Sequence, residues 1–268
     1  MNHDALNLKA YSSKSIVHDF ESYQVLQKAE ESIFARLAPG VAGGAILDIG
    51  VGCGRTTPAL LALSDNYTGI DYSESMIAVC KERFPEQRFV TMDARKLDGH
   101  FSRDYFDLVV FSFNGIDNVG HGDRLTIMSK IFQVLRPGGS FVFSSHNRDF
   151  VKFEEFLNSR PSIALSLNPI TTLRNLSLFP LQYARYSKNS RQNVIEKDYA
   201  VVNEPAADYR MLQYYISMDS QRRQLRALGF DERIDAYGFD GKLTEHDRES
   251  GWIYYVATKP VHARSESA

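Results

Sequence analysis

Between about residues 45 and 147, short apolar runs alternate with stretches of helical period, and this alternation restricts the fold more than any other feature of the chain. Residues 45–50 (Ala-Ile-Leu-Asp-Ile-Gly) form an apolar run closed by glycine, the pattern of a strand buried on both faces. Thr57 and Pro58 suit an N-cap followed by proline at the first helical position, leading into Leu60, Leu61 and Leu63. Residues 67–71, 88–93, 106–113 and 140–146 are further expected strands. Ser73 is placed to cap a helix carrying Met76, Ile77, Val79 and Cys80. Leu125, Met128, Ile131, Phe132 and Leu135 mark one face of a helix over 124–135, stopped by Arg136-Pro-Gly-Gly139. Strands separated by helices of this length imply βαβ units and a parallel sheet.

The rhythm breaks from about 150 to 217. Asn168 and Pro169 predict the start of a short helix ending before Pro180, and residues 198–202 and 210–216 read as a hairpin. The α/β pattern then resumes, with a helix capped by Asp219 and stopped by Gly229, followed by strands over 233–237 and 252–257. Four segments follow: a helical leader over 1–44, an α/β core over 45–149, an insertion over 150–217 and a closing segment over 218–268. In the leader, residues 32–37 are expected to pack on the sheet.

Composition removes several classes. With 268 residues, 43% of them apolar, the chain can bury a full core without staples, and its two cysteines cannot form a disulfide framework. A net charge of −2 makes no electrostatic case for nucleic acid. No run is long and apolar enough for a membrane span, and the first residues lack the apolar core of a signal peptide, so a cytoplasmic location is expected. No metal is expected.

The segment Leu47-Asp-Ile-Gly-Val-Gly-Cys-Gly-Arg55 sits between the first strand and the first helix. Its glycines allow a sharp bend and a close approach of backbone to ligand, and open parallel sheets bind ligands at this rim. Asp48, Asp71 and Asp93 end three adjacent strands there. A nucleoside explains the set: Asp71 takes the ribose diol and Asp93 an adenine amino group. That each carboxylate merely caps the following turn is the alternative. The G-x-G-x-G spacing, with Arg55 where a dinucleotide fingerprint has its third glycine, argues against NAD or FAD.

These motifs together, Asp48-Ile-Gly-Val-Gly-Cys-Gly54, Gly69-Ile-Asp-Tyr-Ser73, Met92-Asp-Ala94, Phe106-Asp-Leu-Val-Val110 and Leu135-Arg-Pro-Gly-Gly139, resemble the successive motifs of class I S-adenosylmethionine-dependent methyltransferases of the small-molecule type. The resemblance implies a Rossmann-like, doubly wound sheet of seven strands, the last antiparallel, with residues 150–217 as a lid. It implies S-adenosyl-L-methionine as cofactor, with Gly50, Gly52 and Gly54 beside its methionine part and Asp71 at the ribose. Asp93 and Ala94 would then meet the adenine, Tyr72 and Met76 its faces, and Ser112, Phe113 and Asn114 would underlie the methionine part. Arg55 is a candidate for the cofactor's carboxylate. Cys53 is read as a small filler and not a nucleophile.

A sulfonium is already an activated electrophile, so the protein must chiefly align an acceptor, with a base wherever the acceptor stays protonated. His146 is the candidate general base, because an ordinary histidine titrates near neutral pH. Asn118, His121, Tyr183 and Tyr214 are candidate acceptor-binding residues, and Tyr11 and Tyr23 are candidates for closing the leader over the site. The apolar 165–181 stretch is read as lid packing, with contact to a membrane or a partner as the other possibility. The fourth strand lacks the Asn/Asp-Pro-Pro-Tyr segment of base-amino methyltransferases, again against a nucleic-acid substrate. The expectation is methyl transfer to N or O of a small metabolite; the alternatives are a non-catalytic cofactor-binding module and a nucleotide-dependent oxidoreductase. Oligomeric state is not legible.

Overall fold

The computed structural model describes residues 6–8, 11, 14–163 and 165–261. Expectations for residues 1–5, 9, 10, 12 and 13 of the leader and for 262–268 of the closing segment lie outside the described residues. In chain order the elements are α1 (Lys14–Ser22), α2 (Lys28–Val41), β1 (Ile46–Ile49), α3 (Thr57–Leu61), β2 (Tyr67–Asp71), α4 (Glu74–Arg83), β3 (Arg88–Thr91), β4 (Phe106–Phe111), α5 (His121–Val134) and β5 (Leu135–Asn147). They continue with α6 (Phe153–Leu157), α7 (Pro169–Asn189), β6 (Val194–Ile195), β7 (Tyr199–Asn203), β8 (Leu212–Ile216), α8 (Met218–Ala227), β9 (Ile234–Tyr237) and β10 (Trp252–Thr258).

The sheet has ten strands, three more than the seven expected; seven of them run in the order β3-β2-β1-β4-β5-β10-β9, parallel except for β10, which is antiparallel to both neighbours. This is the Rossmann-like sheet with its antiparallel last strand. β1 and β2 are buried along their whole length, as strands covered on both faces must be. Alternate residues feed two cores. Leu47, Ile49, Val109 and Phe141 join Ile127, Met128, Ile131 and Val134 of α5 and Leu225 of α8. Ile46, Leu108, Val110 and Val142 join Ile33 and Phe34 of α2, Leu60 of α3 and Ile77 of α4.

Residues 198–216 add a second strand group. β7 and β8 pair antiparallel, and β8 pairs parallel with the far end of β5 through His146↔Tyr215 and Asn147↔Ile216. β10 occupies the opposite edge of β5 from Ser140 to His146, so β4 and β8 share one edge of the same strand, one after the other.

Several elements differ from the expectations in physically simple ways. The sequence Arg136-Pro-Gly-Gly139 does not separate α5 from β5 but opens β5 as an irregularity: the pairing with β4 shifts register between Phe106 and Leu108. The buried face of α5 includes Arg124, a fully buried cation that apolar periodicity cannot find. α3 is preceded by Thr56 and not Thr57, and the helix after β8 is capped by Ser217, whose Oγ accepts from Ser220 N, with Asp219 in the first turn. α7 begins as expected, with Asn168 Oδ1 accepting from Ile170 N at 2.9 Å, but it runs on through Pro180 to Asn189. Proline removes one helical hydrogen bond, and here the flanking residues Leu176 and Pro180 are exposed, so water reaches the bereft carbonyl. The 165–181 apolar residues, expected as lid packing, are mostly turned outward: Leu165, Ile170 and Leu173 keep 81, 75 and 66% of their surface exposed.

Candidate cofactor site

The C-terminal rim of β1, β2, β3 and β4 encloses a cavity of about 500 Å³, within the ~300–1,000 Å³ of small-molecule sites. The bend after β1 forms one wall. Gly50 (φ +63°) and Gly52 (φ +56°) are left-handed and line the cavity. A Cβ on Gly50 would stand 2.7 Å from the Phe111 ring, so the close approach demands glycine. Gly54 is also left-handed but does not line the cavity; it lies under Phe84.

Asp71 fixes this bend. Its Oδ2 accepts from Gly52 N at 3.0 Å and its Oδ1 from Ser73 N at 2.8 Å, while the side chain faces the cavity. Burial pushes its pKa up to about 6. Asp93 faces the same space, accepts from Arg95 N at 2.9 Å and pairs with the Arg95 guanidinium at 2.7 Å. Burial opposes its ionisation, yet the Arg95 hydrogen bonds hold it below the ordinary carboxylate value. Each of these carboxylates therefore caps a turn and also lines the cavity. Asp48 stands apart: it lies beneath the bend, accepting from Thr56 Oγ1 at 2.7 Å and Tyr67 OH at 3.0 Å, with burial raising its pKa to about 7. Tyr72, Met76, Ala94, Ser112 and Phe113 line the cavity, and Asn114 does not. Cys53 is buried against Met76, and burial raises its thiol to about 11, in keeping with a filler.

Arg55, a candidate for the cofactor's carboxylate, is engaged elsewhere. Its Nη1 donates to Glu30 Oε2 at 2.5 Å and its Nη2 to Glu30 Oε1 at 2.6 Å and to Ser112 Oγ at 3.0 Å. Tyr254 OH at 2.8 Å and Gln27 N at 2.7 Å also donate to this buried carboxylate, and Ser112 Oγ is a further donor. Burial alone would raise the Glu30 pKa, but these donors, Arg55 foremost, hold it below the ordinary value. The pair clamps α2 to the rim.

The leader supplies residues that sequence reasoning placed only loosely. Leu8, Tyr11 and Phe20 line the cavity. The Phe20 ring packs edge-on to Tyr11 at 5.9 Å and to Phe113 at 6.1 Å, and Tyr23 stacks obliquely on Phe113. The Tyr11 hydroxyl, pushed up to about 12 by burial, hydrogen-bonds Asn118 and Gln213. Asn7 Nδ2 donates to Asn118 O at 2.9 Å and to Leu212 O at 2.7 Å, joining leader, rim and β8. These partners lie far apart in the chain, so no local pattern announces them.

The turn after β4 is unusual in carrying Phe113 (φ +52°) and Asn114 (φ +57°) consecutively in the left-handed region, a conformation that costs non-glycine residues energy and ends the strand at Phe111. Behind it lies a buried polar cluster. Asp117 Oδ2 accepts from His146 N at 2.7 Å and His146 Nδ1 at 2.8 Å, and its Oδ1 receives Ser145 Oγ and Arg124. Arg124 also donates to Gln221 Oε1 at 2.6 Å and sits 4.5 Å from the Tyr214 ring centre. With Nδ1 protonated toward Asp117, His146 Nε2 accepts from Asn114 Nδ2 at 3.2 Å. His146 is thus off the cavity wall with both nitrogens engaged. Of the candidate acceptor residues only Asn118 lines the cavity. His121 stacks on Tyr199 at 4.1 Å and hydrogen-bonds the buried Tyr214, and Tyr183 is exposed on α7.

Residues 46–139 match the family described as methyltransferase domain, over the segment that carries the glycine bend after β1 and the acids at the ends of the next two strands. Among curated relatives, a phosphatidylethanolamine N-methyltransferase of Cereibacter sphaeroides is 32% identical over 136 residues, covering 48% of this chain and 63% of that protein. A ubiquinone biosynthesis O-methyltransferase of Aromatoleum aromaticum is 31% identical over 120 residues, covering 41% and 47%. The matches thus span from about half to just under two thirds of those relatives. In fold, an S-adenosylmethionine-dependent methyltransferase structure from Clostridium acetobutylicum superposes with a TM-score of 0.63 at 14% identity, over 92% of this chain and 98% of that one.

Proposed function

We propose that this chain transfers the methyl group of S-adenosylmethionine to a small acceptor, an amine nitrogen in preference to an oxygen. The observation that supports this most directly is Asp71: a buried carboxylate anchored by Gly52 N and Ser73 N and turned into the cavity beside the bare backbone of Gly50 and Gly52. A carboxylate so placed suits a ribose diol, which needs an acceptor for two hydroxyl protons. Asp93 and Ala94 suit the adenine edge, and Met76 and the half-exposed Tyr72 its faces. Gly50, Gly52, Ser112 and Phe113 suit the methionine part. In this reading Asp48, Gly54 and Arg55 shape the bend from below without touching the cofactor, and Asn114 shapes the turn.

When bound, the cofactor supplies an electrophilic methyl group on a sulfonium. The protein then has to hold the acceptor in line, an effect worth about 7–11 kcal/mol when geometry is right. Tyr11, Phe20, Asn118 and Phe113 are the residues proposed to do so. No histidine lines the cavity among the described residues, and Tyr11 at about 12 is a hydrogen-bonding group and not a base. An amine that arrives with a free lone pair needs no base, which is why nitrogen is favoured. His146 is read as a positioning residue that acts through Asn114. Residues 150–217, which supply β8 and its Gln213 contact to Asn118, are read as the lid over the acceptor.

The test is incubation of the protein with methyl-labelled cofactor and a cell extract, with the labelled product identified by mass spectrometry. A labelled amine supports the proposal. Tight cofactor binding with no S-adenosylhomocysteine formed from any extract would instead support the non-catalytic module.

A further inference from the structure

α7 is fastened to the rest of the protein at one end. Asn189 Nδ2 donates to Tyr209 O at 2.8 Å, Gln182 Nε2 to Asp208 Oδ1 at 3.0 Å, and the Tyr186 ring packs edge-on to Tyr209. Asn189 is its only buried residue. Toward its start, the outward side is apolar: Leu165 and Leu167 precede the helix, and Ile170, Leu173, Leu176, Leu178 and Leu181 follow along it, every one exposed. Scattered single apolar side chains on a surface need no explanation, but seven exposed ones within 17 residues do.

Charge indicates what covers them. From residue 156 to residue 195 there are five cationic side chains, Arg160, Arg174, Arg185, Lys188 and Arg191, and no carboxylate, whereas the chain as a whole carries −2. On a helical projection Lys188 falls in line with Ile170, and Arg174 and Arg185 fall between Leu181 and Leu178, so the cations stand among the apolar side chains of the outward face. Phe179 turns toward the protein side. An outward face of leucines with long cationic side chains set among them, and no carboxylate in the segment, matches a surface that is apolar inside and anionic at its boundary, since those stems can reach up to it. No helix among the described residues is long and apolar enough to cross a membrane, so this one would lie along the surface.

We propose that α7, with residues 165–168 before it, docks the protein on an anionic phospholipid bilayer, leucines in the acyl boundary and arginines at the headgroups. The proposal does not depend on which acceptor is methylated. It does give the protein a second ligand class, distinct from the cofactor and bound away from the cavity at the strand rim.

The experiment is flotation of the full chain with vesicles of phosphatidylcholine containing roughly 30% phosphatidylglycerol, beside vesicles of phosphatidylcholine alone, at low and high salt. Binding to the anionic vesicles, weakened by salt and absent with the neutral ones, is expected. A triple replacement Arg174→Gln, Arg185→Gln and Lys188→Gln should weaken it roughly a hundredfold, and Leu167→Glu, Ile170→Glu and Leu173→Glu should abolish it. Unchanged melting of the variants confirms that they fold, as is expected for exposed positions. Failure of the unmodified chain to float with the anionic vesicles overturns the proposal. So does concentration-dependent self-association that Leu173→Glu removes, which would make a second copy of the chain the occupant.

Discussion

The cofactor rim and α7 have opposite economies of contact. At the rim the charged groups are mutually engaged: Glu30 receives donors from Arg55, Ser112, Tyr254 and Gln27, and Asp117 is ringed by Arg124, Ser145 and His146. Along α7 the cations have no carboxylate in the surrounding segment and the leucines have no cover. The rim is therefore finished by the chain itself, whereas α7 presents chemistry that only something outside the fold would complete. A charge-neutral average over the sequence conceals both facts.

Five measurements separate the two regions, and the largest effect belongs to the rim. Glu30→Gln removes the carboxylate facing a nearly buried Arg55, and breaking a buried pair costs about 3–5 kcal/mol. Urea unfolding should register that loss, and a change below about 1 kcal/mol would mean that the clamp between α2 and the bend contributes little. Next, Asp71→Ala should weaken S-adenosylmethionine binding by about a hundredfold or more, from two charge-assisted hydrogen bonds of about 1.5–3 kcal/mol each, while the fold persists. Undiminished binding by calorimetry would remove the main support for the proposed cofactor pose.

A third, smaller effect is in pH. Free Asp71 titrates near 6, raised by burial, and ribose hydroxyls would bond its ionised form. Binding then lowers the pKa and releases a proton, so affinity should fall as pH drops through about 6, by roughly tenfold for each unit below it. Flat affinity from neutral pH to pH 5 would contradict this. The same raised values for Asp71 and Asp48 predict that the ligand-free protein loses stability as pH rises from near 4 through about 6 to 7, because the folded state holds protons the unfolded chain has shed. The smallest effect belongs to the insertion: Leu173→Ser should shift unfolding free energy by no more than about 0.5 kcal/mol, against about 2–5 for Ile131→Ala in the α5 core. A large loss at Leu173 would show that this side chain is covered in solution.

What the sequence disclosed follows the range of the forces involved. Buried strands such as β1 and β2, the glycine bend and the acids closing β2 and β3 are written in neighbouring residues, and a parallel sheet followed from them. Contacts across long separations were not so written. Tyr11 and Phe20 reach the cavity by packing on Phe113 and Asn118, about a hundred residues away. Arg55 finds Glu30 in a helix that precedes the core. His146 stands at the end of its strand as expected, but Asp117 and Asn114 turn its ring into the protein. Arg124 breaks an otherwise apolar face because Asp117 and Gln221 meet it there. At Pro180 a local rule failed for the opposite reason: exposure makes the missing hydrogen bond tolerable.

The 13 residues of β5 first pair with β4 and then, past the point where β4 stops, with β8 along the same edge. The β7–β8 hairpin is thus cantilevered from a beam, with no free hinge where it meets the sheet. Swinging the hairpin aside would mean tearing main-chain pairing at His146 and Asn147, so it moves with the sheet or not at all.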